Sequence, residues 1–298
     1  MSKVLEINEL SKMYGRKPAL SGISLSMDEG DIMGFIGPNG AGKTTTMNIL
    51  MNFIRPSSGE AKIFGKSVVE ESHTIKKELG FMASEDFLYR QDSGWKNLKY
   101  VADLKGMRGA KEKISRYAEM LDLDLNKKVS KLSKGNKRKV SLIAAVLGSP
   151  KILIMDEISV GLDPMVKARA FDLLKERNRE GHCSIFFSSH ILSEIEELCN
   201  RTAFIKQGVI LKVNDVEAIG SINYLIRCEN TENFARLENF LRQRNDIQNL
   251  KSAAPELRFQ ALDTKLTHAL EEERLFCLMD DIQIRRTSLE QSFRTDYM

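Results

Sequence analysis

Residues 37 to 45 read Gly-Pro-Asn-Gly-Ala-Gly-Lys-Thr-Thr. The pattern G-x-x-x-x-G-K-[ST] suits one chemistry, the holding of a nucleoside triphosphate by its phosphates. Glycines let the backbone curl until several N–H groups converge on one anion, and the start of a following helix adds its partial positive charge. In this reading Gly37, Asn39, Gly40 and Gly42 shape the cradle and Lys43 reaches the β and γ phosphates. Thr44 offers its hydroxyl to Mg²⁺, and Thr45 completes the loop.

Two further groups could act on such a ligand. Lys151 to Glu157 is an apolar run closed by two carboxylates, Asp156 and Glu157. In an open parallel sheet the carboxyl ends of the strands line the ligand crevice, so both acids are expected beside the phosphates. Unpaired charge at the tip of a buried strand is costly, which favours a functional reading. Cys183 to Phe187 is a second such strand and ends in Ser188-Ser189-His190, which brings His190 to the same edge as a phosphate contact. Tyr14, about two dozen residues before the loop, is either a strand-end aromatic packed locally or a platform for an adenine ring.

These groups need a scaffold, and the hydrophobic pattern supplies one. Val4 to Ser11 and Ala19 to Met27 alternate as half-exposed strands do, and Ile32 to Ile36 is a short apolar strand leading into the loop. Met47 to Ile54 is helix-like. Leu79 to Met82 predicts a buried strand, followed by the polar link Ala83-Ser84-Glu85-Asp86. Helical periodicity fills Trp95 to Leu123, with Leu98, Val101, Ala102 and Leu104 on one face and Ile114, Tyr117, Ala118 and Leu121 on another. A polar break at Leu132 to Asn136 precedes a helix expected from about Lys137 to Leu147, and Gly161 to Pro164 turns into another over Val166 to Asn178. Beyond 220 the pattern becomes strand, helix, strand, strand, helix (Lys265 to Met279), strand, the order of a ferredoxin-like unit. The expected division is therefore 1–220 for an α/β domain with a helical subdomain at about 90–140, and 221–298 for a small α+β domain, read as regulatory or dimerising.

At 298 residues and 42% hydrophobic content the chain supports a sizeable core. No run approaches the roughly 18 to 20 apolar residues that span a bilayer, and the start of the chain has no signal-peptide pattern. A cytoplasmic location is expected. The four cysteines, Cys183, Cys199, Cys228 and Cys277, match no metal-ligand or C-x-x-C spacing and read as reduced, mostly buried thiols. The net charge of +4 is too small to indicate nucleic acid. Between Arg90 and Lys139, however, 15 Lys and Arg face 6 Asp and Glu. That stretch is either a solvated helical surface or one held near anionic lipid or acidic partner loops.

The order of these parts resembles the ATP-binding subunit of an ABC transporter over residues 1 to about 220. Tyrosine, phosphate loop, polar link, helical insertion, L-S-x-G-x break, strand ending Asp-Glu, G-L-D turn and strand-end histidine follow one another in sequence. The tail, with Ser288-Leu289-Glu290-Gln291-Ser292-Phe293, is similar to the extension of the ABC-2 export group of drug, antibiotic and peptide exporters. The resemblance implies a P-loop NTPase, RecA-like α/β core with a β-rich subdomain, an inserted helical subdomain and the ferredoxin-like extension. It implies ATP and Mg²⁺ as cofactors, and makes residues 37 to 45 the Walker A loop and Tyr14 the adenine platform. Asp156 becomes the Walker B acid that holds Mg²⁺, Glu157 the acid that polarises water, and His190 the switch histidine. Ser133 and Gly135 belong to the signature that binds the nucleotide held by an opposite subunit, and Asp163 lies in the D-loop at that interface. It further implies a separate transmembrane permease, a homodimer or a heterodimer with a sister ATPase, and a peripheral place on the inner face of the membrane. The segment Phe87 to Trp95 and the helical insertion would face the permease.

Three positions depart from the family pattern. Lys134 and Asn136 replace a glycine and the glutamine of the usual L-S-G-G-Q. Ser84, shorter than the glutamine expected in the polar link, falls at the Mg²⁺-contacting position. Val160 stands where the D-loop commonly has a small polar residue. Two rival readings remain beside the exporter subunit: a soluble ABC ATPase uncoupled from transport, and a regulatory nucleotide-binding subunit with weak hydrolysis.

Overall fold

The computed structural model describes residues 2–85, 87–215, 222–244, 247–261, 266, 270 and 275–286. The chain divides into two compact units, Met1–Val213 and Asn214–Met298, so the break falls after Val213 rather than at 220.

The elements of residues 1–215 are β1 (Lys3–Tyr14), β2 (Lys17–Asp28), β3 (Ile32–Ile36), α1 (Lys43–Leu50), β4 (Ser58–Ile63), β5 (Lys66–Ser67), α2 (Ser72–Ile75) and β6 (Leu79–Met82). They continue with α3 (Gly94–Leu104), α4 (Ala110–Met120), α5 (Lys134–Val146), β7 (Ile152–Asp156), α6 (Pro164–Gly181), β8 (Ser184–Ser189), α7 (Leu192–Leu198), β9 (Arg201–Lys206) and β10 (Val209–Asp215). The long, alternating β1 and β2 form an antiparallel sheet of order β2-β1-β4-β5. The short apolar runs form a second sheet, β10-β9-β3-β8-β7-β6, in which β9, β3, β8, β7 and β6 are parallel neighbours. Every residue of β3, β7 and β8 is buried. Continuous apolar sequence is what a parallel strand covered on both faces requires. The carboxyl ends of β3, β7 and β8 lie side by side, and the parallel register pairs Ile36 with Ser189 and Asp156 with Ser188.

The helical stretch is formed by two helices, α3 and α4. Gly106 and Gly109 both take positive φ, 63° and 65°, and break the chain between α3 and α4. Leu98, Ala102, Ile114, Tyr117, Ala118 and Leu121 are buried as expected. Leu104, expected on the same face, is instead 70% exposed at the end of α3. Helix α5 begins at Lys134, three residues ahead of the expected start. The Ser133 hydroxyl accepts from the Asn136 amide at 3.2 Å and caps that end.

The second unit contains β11 (Ile222–Arg227), α8 (Thr231–Arg242), β12 (Ile247–Ala253), β13 (Glu256–Ala261) and β14 (Asp281–Arg286) in an antiparallel sheet of order β12-β13-β11-β14. This strand order is that of the split β-α-β arrangement. Asn230 caps α8, and Phe234, Leu237 and Leu241 point into a core where Tyr224 and Phe259 stack at 5.1 Å. Most of the helix expected at 265–279 lies outside the described residues, and Leu275–Leu278 is a 3₁₀ turn. Asp86, residues 288–293 and the side chain of Cys277 also lie outside them.

Candidate functional site

The loop after β3 is shaped by close approaches that exclude side chains. A Cβ on Gly37 would lie 2.3 Å from the Ile205 carbonyl oxygen, and one on Gly42 would lie 2.8 Å from that of Ala19. Gly40 and Gly42 take φ of 78° and 112°, conformations that side chains disfavour. The far end of the loop is latched by the Gly208 amide, which donates to the Ala41 carbonyl at 2.9 Å. Pro38, Asn39 and Gly40 remain exposed. The loop runs straight into α1, whose first-turn amides have no intrahelical acceptor and so face outward for an anion.

Lys43 is 5% exposed and donates to the carbonyls of Gly37 and Pro38 at 2.8 and 3.1 Å. Burial pulls its ammonium below the ordinary lysine range, against the opposing pull of Glu157 and Asp156. An ammonium has three protons to give, and the two carbonyls leave capacity for a phosphate oxygen. A multiply charged anion there would relieve the cost of burying this cation.

Thr44 Oγ1 donates to Asp156 Oδ2 at 2.8 Å, and the other Asp156 oxygen accepts from the Ser188 hydroxyl. Asp156 is 1% exposed, so the end of β7 carries a carboxylate oriented by hydroxyls from α1 and β8. This set fits Mg²⁺, a hard ion that takes one or two protein oxygens and completes its shell with water and substrate phosphates. Among the described residues no cluster of three or more His, Cys, Asp or Glu could hold a metal by itself.

Glu157, the next residue, has φ of 50°, a left-handed conformation that costs a residue with a side chain about 1–2 kcal/mol. Several partners hold it there. Its amide donates to the Ser188 carbonyl at 3.2 Å and to the Ser188 hydroxyl at 3.1 Å. Its carbonyl accepts from Arg138 Nη2 at 2.6 Å. Glu157 Oε1 lies 3.4 Å from His190 Nδ1, and both side chains are accessible, 26% and 44% exposed. The turn bearing His190 is fixed by Ser189, whose hydroxyl accepts from the Ile191 amide at 2.9 Å and donates to the buried Glu194 at 2.8 Å.

Lys43, Thr44, Asp156, Glu157 and His190 thus gather at one edge of the parallel sheet. Ser133 and Gly135 form a second group with the 159–163 turn, since a Cβ on Gly135 would lie 2.6 Å from the Gly161 carbonyl oxygen. The Lys134 stem also passes 3.5 Å from a Cβ position on Gly161. Asp163 uses its carboxylate to cap α6, accepting from the Val166 amide at 3.0 Å. Tyr14, 51% exposed, ends β1 with the Lys12 ammonium 5.4 Å from its ring centre. Ser84 is tied in through its carbonyl, which accepts from Arg138 Nη1 at 3.3 Å.

Two residues of this site were not singled out from the sequence. Ser188 was visible only as part of a strand end. Arg138 sits inside the basic run Lys137-Arg138-Lys139, which reads as solvated charge, yet it is 1% exposed. Its signal was spacing: Leu142, four residues on, lies on the same buried face of α5.

A family model described as ABC transporter matches residues 20–160. The uncharacterized ABC transporter ATP-binding protein YhcH of Bacillus subtilis is 35% identical over 220 residues, 73% of this chain and 72% of that protein. The bacitracin transport ATP-binding protein BcrA of Bacillus licheniformis is 35% identical over 214 residues, 71% of this chain and 70% of that one. Among solved structures, an ATP-binding subunit of an ABC transporter superposes with a TM-score of 0.68 at 26% identity, covering 72% of this chain and 91% of that one.

Proposed function

This chain belongs to the ABC transporter family of ATP-binding proteins and is an ATP hydrolase, and from that premise we propose that it closes as an ATP-sandwich dimer and drives export through a separate permease. The carrying observation is the placement of Thr44, Asp156, Glu157 and His190 around the phosphate loop. Phosphoryl transfer to water needs positioning and charge stabilisation more than covalent chemistry. The loop amides and Lys43 hold the β and γ phosphates. Thr44 and Asp156 hold Mg²⁺, which when bound supplies positive charge to the phosphate oxygens. Glu157 accepts a hydrogen bond from the attacking water and aligns it with the γ phosphorus. His190 donates to a γ-phosphate oxygen as charge develops there.

The signature group supports the dimer. Ser133 and Gly135 sit with the 159–163 turn at an exposed helix start, suited to the nucleotide of a second subunit. Two-fold pairing of like surfaces is the usual symmetric assembly. The permease contact is proposed for the helical insertion. Phe87, Tyr89 and Tyr100 are 77%, 57% and 48% exposed, and the two tyrosines meet edge to face at 5.5 Å beside a cavity of about 280 Å³ also lined by Phe81, Leu88 and Val101. Exposed aromatics around a concavity are typical anchors for a partner. Among the described residues no helix is long and apolar enough to cross a membrane, so a peripheral location through such a partner is proposed. The cargo class proposed is a peptide, antibiotic or other amphipathic compound, on the strength of the likeness to the bacitracin transport protein.

The test is the solution mass of Glu157→Gln by light scattering with Mg-ATP. Losing the water-aligning carboxylate while keeping the phosphate contacts should trap a dimer of about 68 kDa, twice the 33.8 kDa of one chain. A variant that hydrolyses ATP at the wild-type rate would refute the assignment of Glu157.

A further inference from the structure

We propose that Arg138 is a positioning residue for hydrolysis, acting through the backbone of Glu157 and locking it to the 83–84 link. The inference rests on the role of Glu157 proposed above.

Four hydrogen bonds of the guanidinium go to backbone carbonyls. Nη1 donates to Ala83 O and, at 3.3 Å, to Ser84 O; Nη2 donates to Asp156 O at 3.1 Å and Glu157 O at 2.6 Å. Ala83 and Ser84 follow β6, and Asp156 and Glu157 end β7, its parallel neighbour. One buried planar fork therefore staples the carboxyl ends of two adjacent strands at the level of the site. An arginine fits this task because its donors are fixed in one plane, which a lysine ammonium does not reproduce. These carbonyls belong to the main chain at two adjacent strand ends, so the fork acts on backbone geometry there.

The geometry that needs holding is that of Glu157. A non-glycine residue in the left-handed region persists only where its surroundings over-determine it. Ser188 fixes the amide side of that residue and Arg138 fixes the carbonyl side. Releasing the carbonyl lets the peptide relax toward ordinary φ and swings the carboxylate away from His190. The same guanidinium holds the link that leads to the exposed aromatics at 87 and 89, so displacement of that link is transmitted to the catalytic carboxylate. Arg138 also stands one turn inside α5 from Ser133 and Gly135, which makes the signature helix the rigid body that carries the staple.

The experiment uses the full-length chain and five proteins: wild type, Arg138→Met, Arg138→Lys, Glu157→Gln and the double variant Arg138→Met/Glu157→Gln. Turnover is measured beside the dissociation constant of a fluorescent ATP analogue. Misplacing a catalytic group by about 1 Å costs on the order of 100-fold, so Arg138→Met is expected to lower kcat by about 30- to 100-fold while analogue affinity stays within about threefold. Arg138→Lys should retain the fold and lose kcat by an intermediate factor. In the double variant the losses should not multiply, because both changes remove the same alignment. Wild-type kcat in either Arg138 variant, a proportional loss of affinity, or multiplying losses would overturn the proposal. Should Arg138→Met fail to fold, Arg138→Lys decides alone. An inactive Glu157→Gln beside fully active Arg138 variants defeats this inference only; a fully active Glu157→Gln defeats the site reading as well.

Discussion

Lys43→Met separates binding chemistry from folding at the phosphate loop. The side chain is 5% exposed and its ammonium is held below the usual lysine pKa by burial. Methionine keeps most of the volume and removes the buried charge. The carbonyls of Gly37 and Pro38 lose a donor, at about 1 kcal/mol each, against the relief of a desolvated cation. Without nucleotide, the melting temperature should therefore stay within about 4 °C of wild type for a unit of this size. With nucleotide the two proteins part. A hydrogen bond to a charged group contributes about 1.5–3 kcal/mol, and the upper end of that range raises the ATP dissociation constant about 100-fold. At an ATP concentration 100 times the wild-type constant, wild type gains about 2.7 kcal/mol and the variant about 0.4 kcal/mol. For the Met1–Val213 unit that corresponds to shifts of about 5–11 °C and 1–2 °C. Scanning fluorimetry with Mg-ATP reads both numbers. A wild-type shift in the variant, or a collapse of more than about 10 °C without nucleotide, would refute the reasoning, the first by removing Lys43 from the phosphates and the second by making it a structural residue.

Gly37→Ala should weaken the loop from within. Its new methyl would meet the Ile205 carbonyl oxygen at 2.3 Å, and overpacking of this kind costs about 1–3 kcal/mol, so a lowered melting point together with weaker ATP binding is expected by the same fluorimetry. For the thiols, burial pushes the Cys183 pKa up to about 11 from the ordinary 9.0 and raises that of Cys199 well above it. At pH 8 the folded chain should resist alkylation at both by mass spectrometry, with reaction only on unfolding. The sign of the linked stability follows. Between pH 9 and 11 the unfolded Cys183 loses its proton while the folded one keeps it, so wild type should lose about 3 kcal/mol relative to Cys183→Ala across that window. Parallel stability curves for the two proteins would show that burial does not hold that proton.

The sequence by itself determined the chemistry and the class of scaffold. Glycine spacing before Lys43-Thr44 announces a phosphate loop because only that backbone conformation calls for glycine at 37, 40 and 42. Apolar strands ending in Asp156-Glu157 and in Ser188-Ser189-His190 announce a parallel sheet because its buried strands tolerate polar groups only at their tips. Even the second unit was legible, through strand and helix periods that predicted the order seen in its sheet. Tertiary structure decided what depends on distances between segments remote in sequence. Whether Lys134 belonged to a loop or to a helix was settled by the Ser133 cap, and the boundary between the two helices of the insertion was set where Gly106 and Gly109 turn the chain. The pairing of Thr44 with Asp156 across 112 positions has no local signature. Arg138 is the clearest case: in the sequence it is one cation among three, and in the fold it is a buried fork that bonds carbonyls at the ends of two neighbouring strands. A residue type states what bonds a side chain can make, and only packing states which carbonyls come within 3 Å of it.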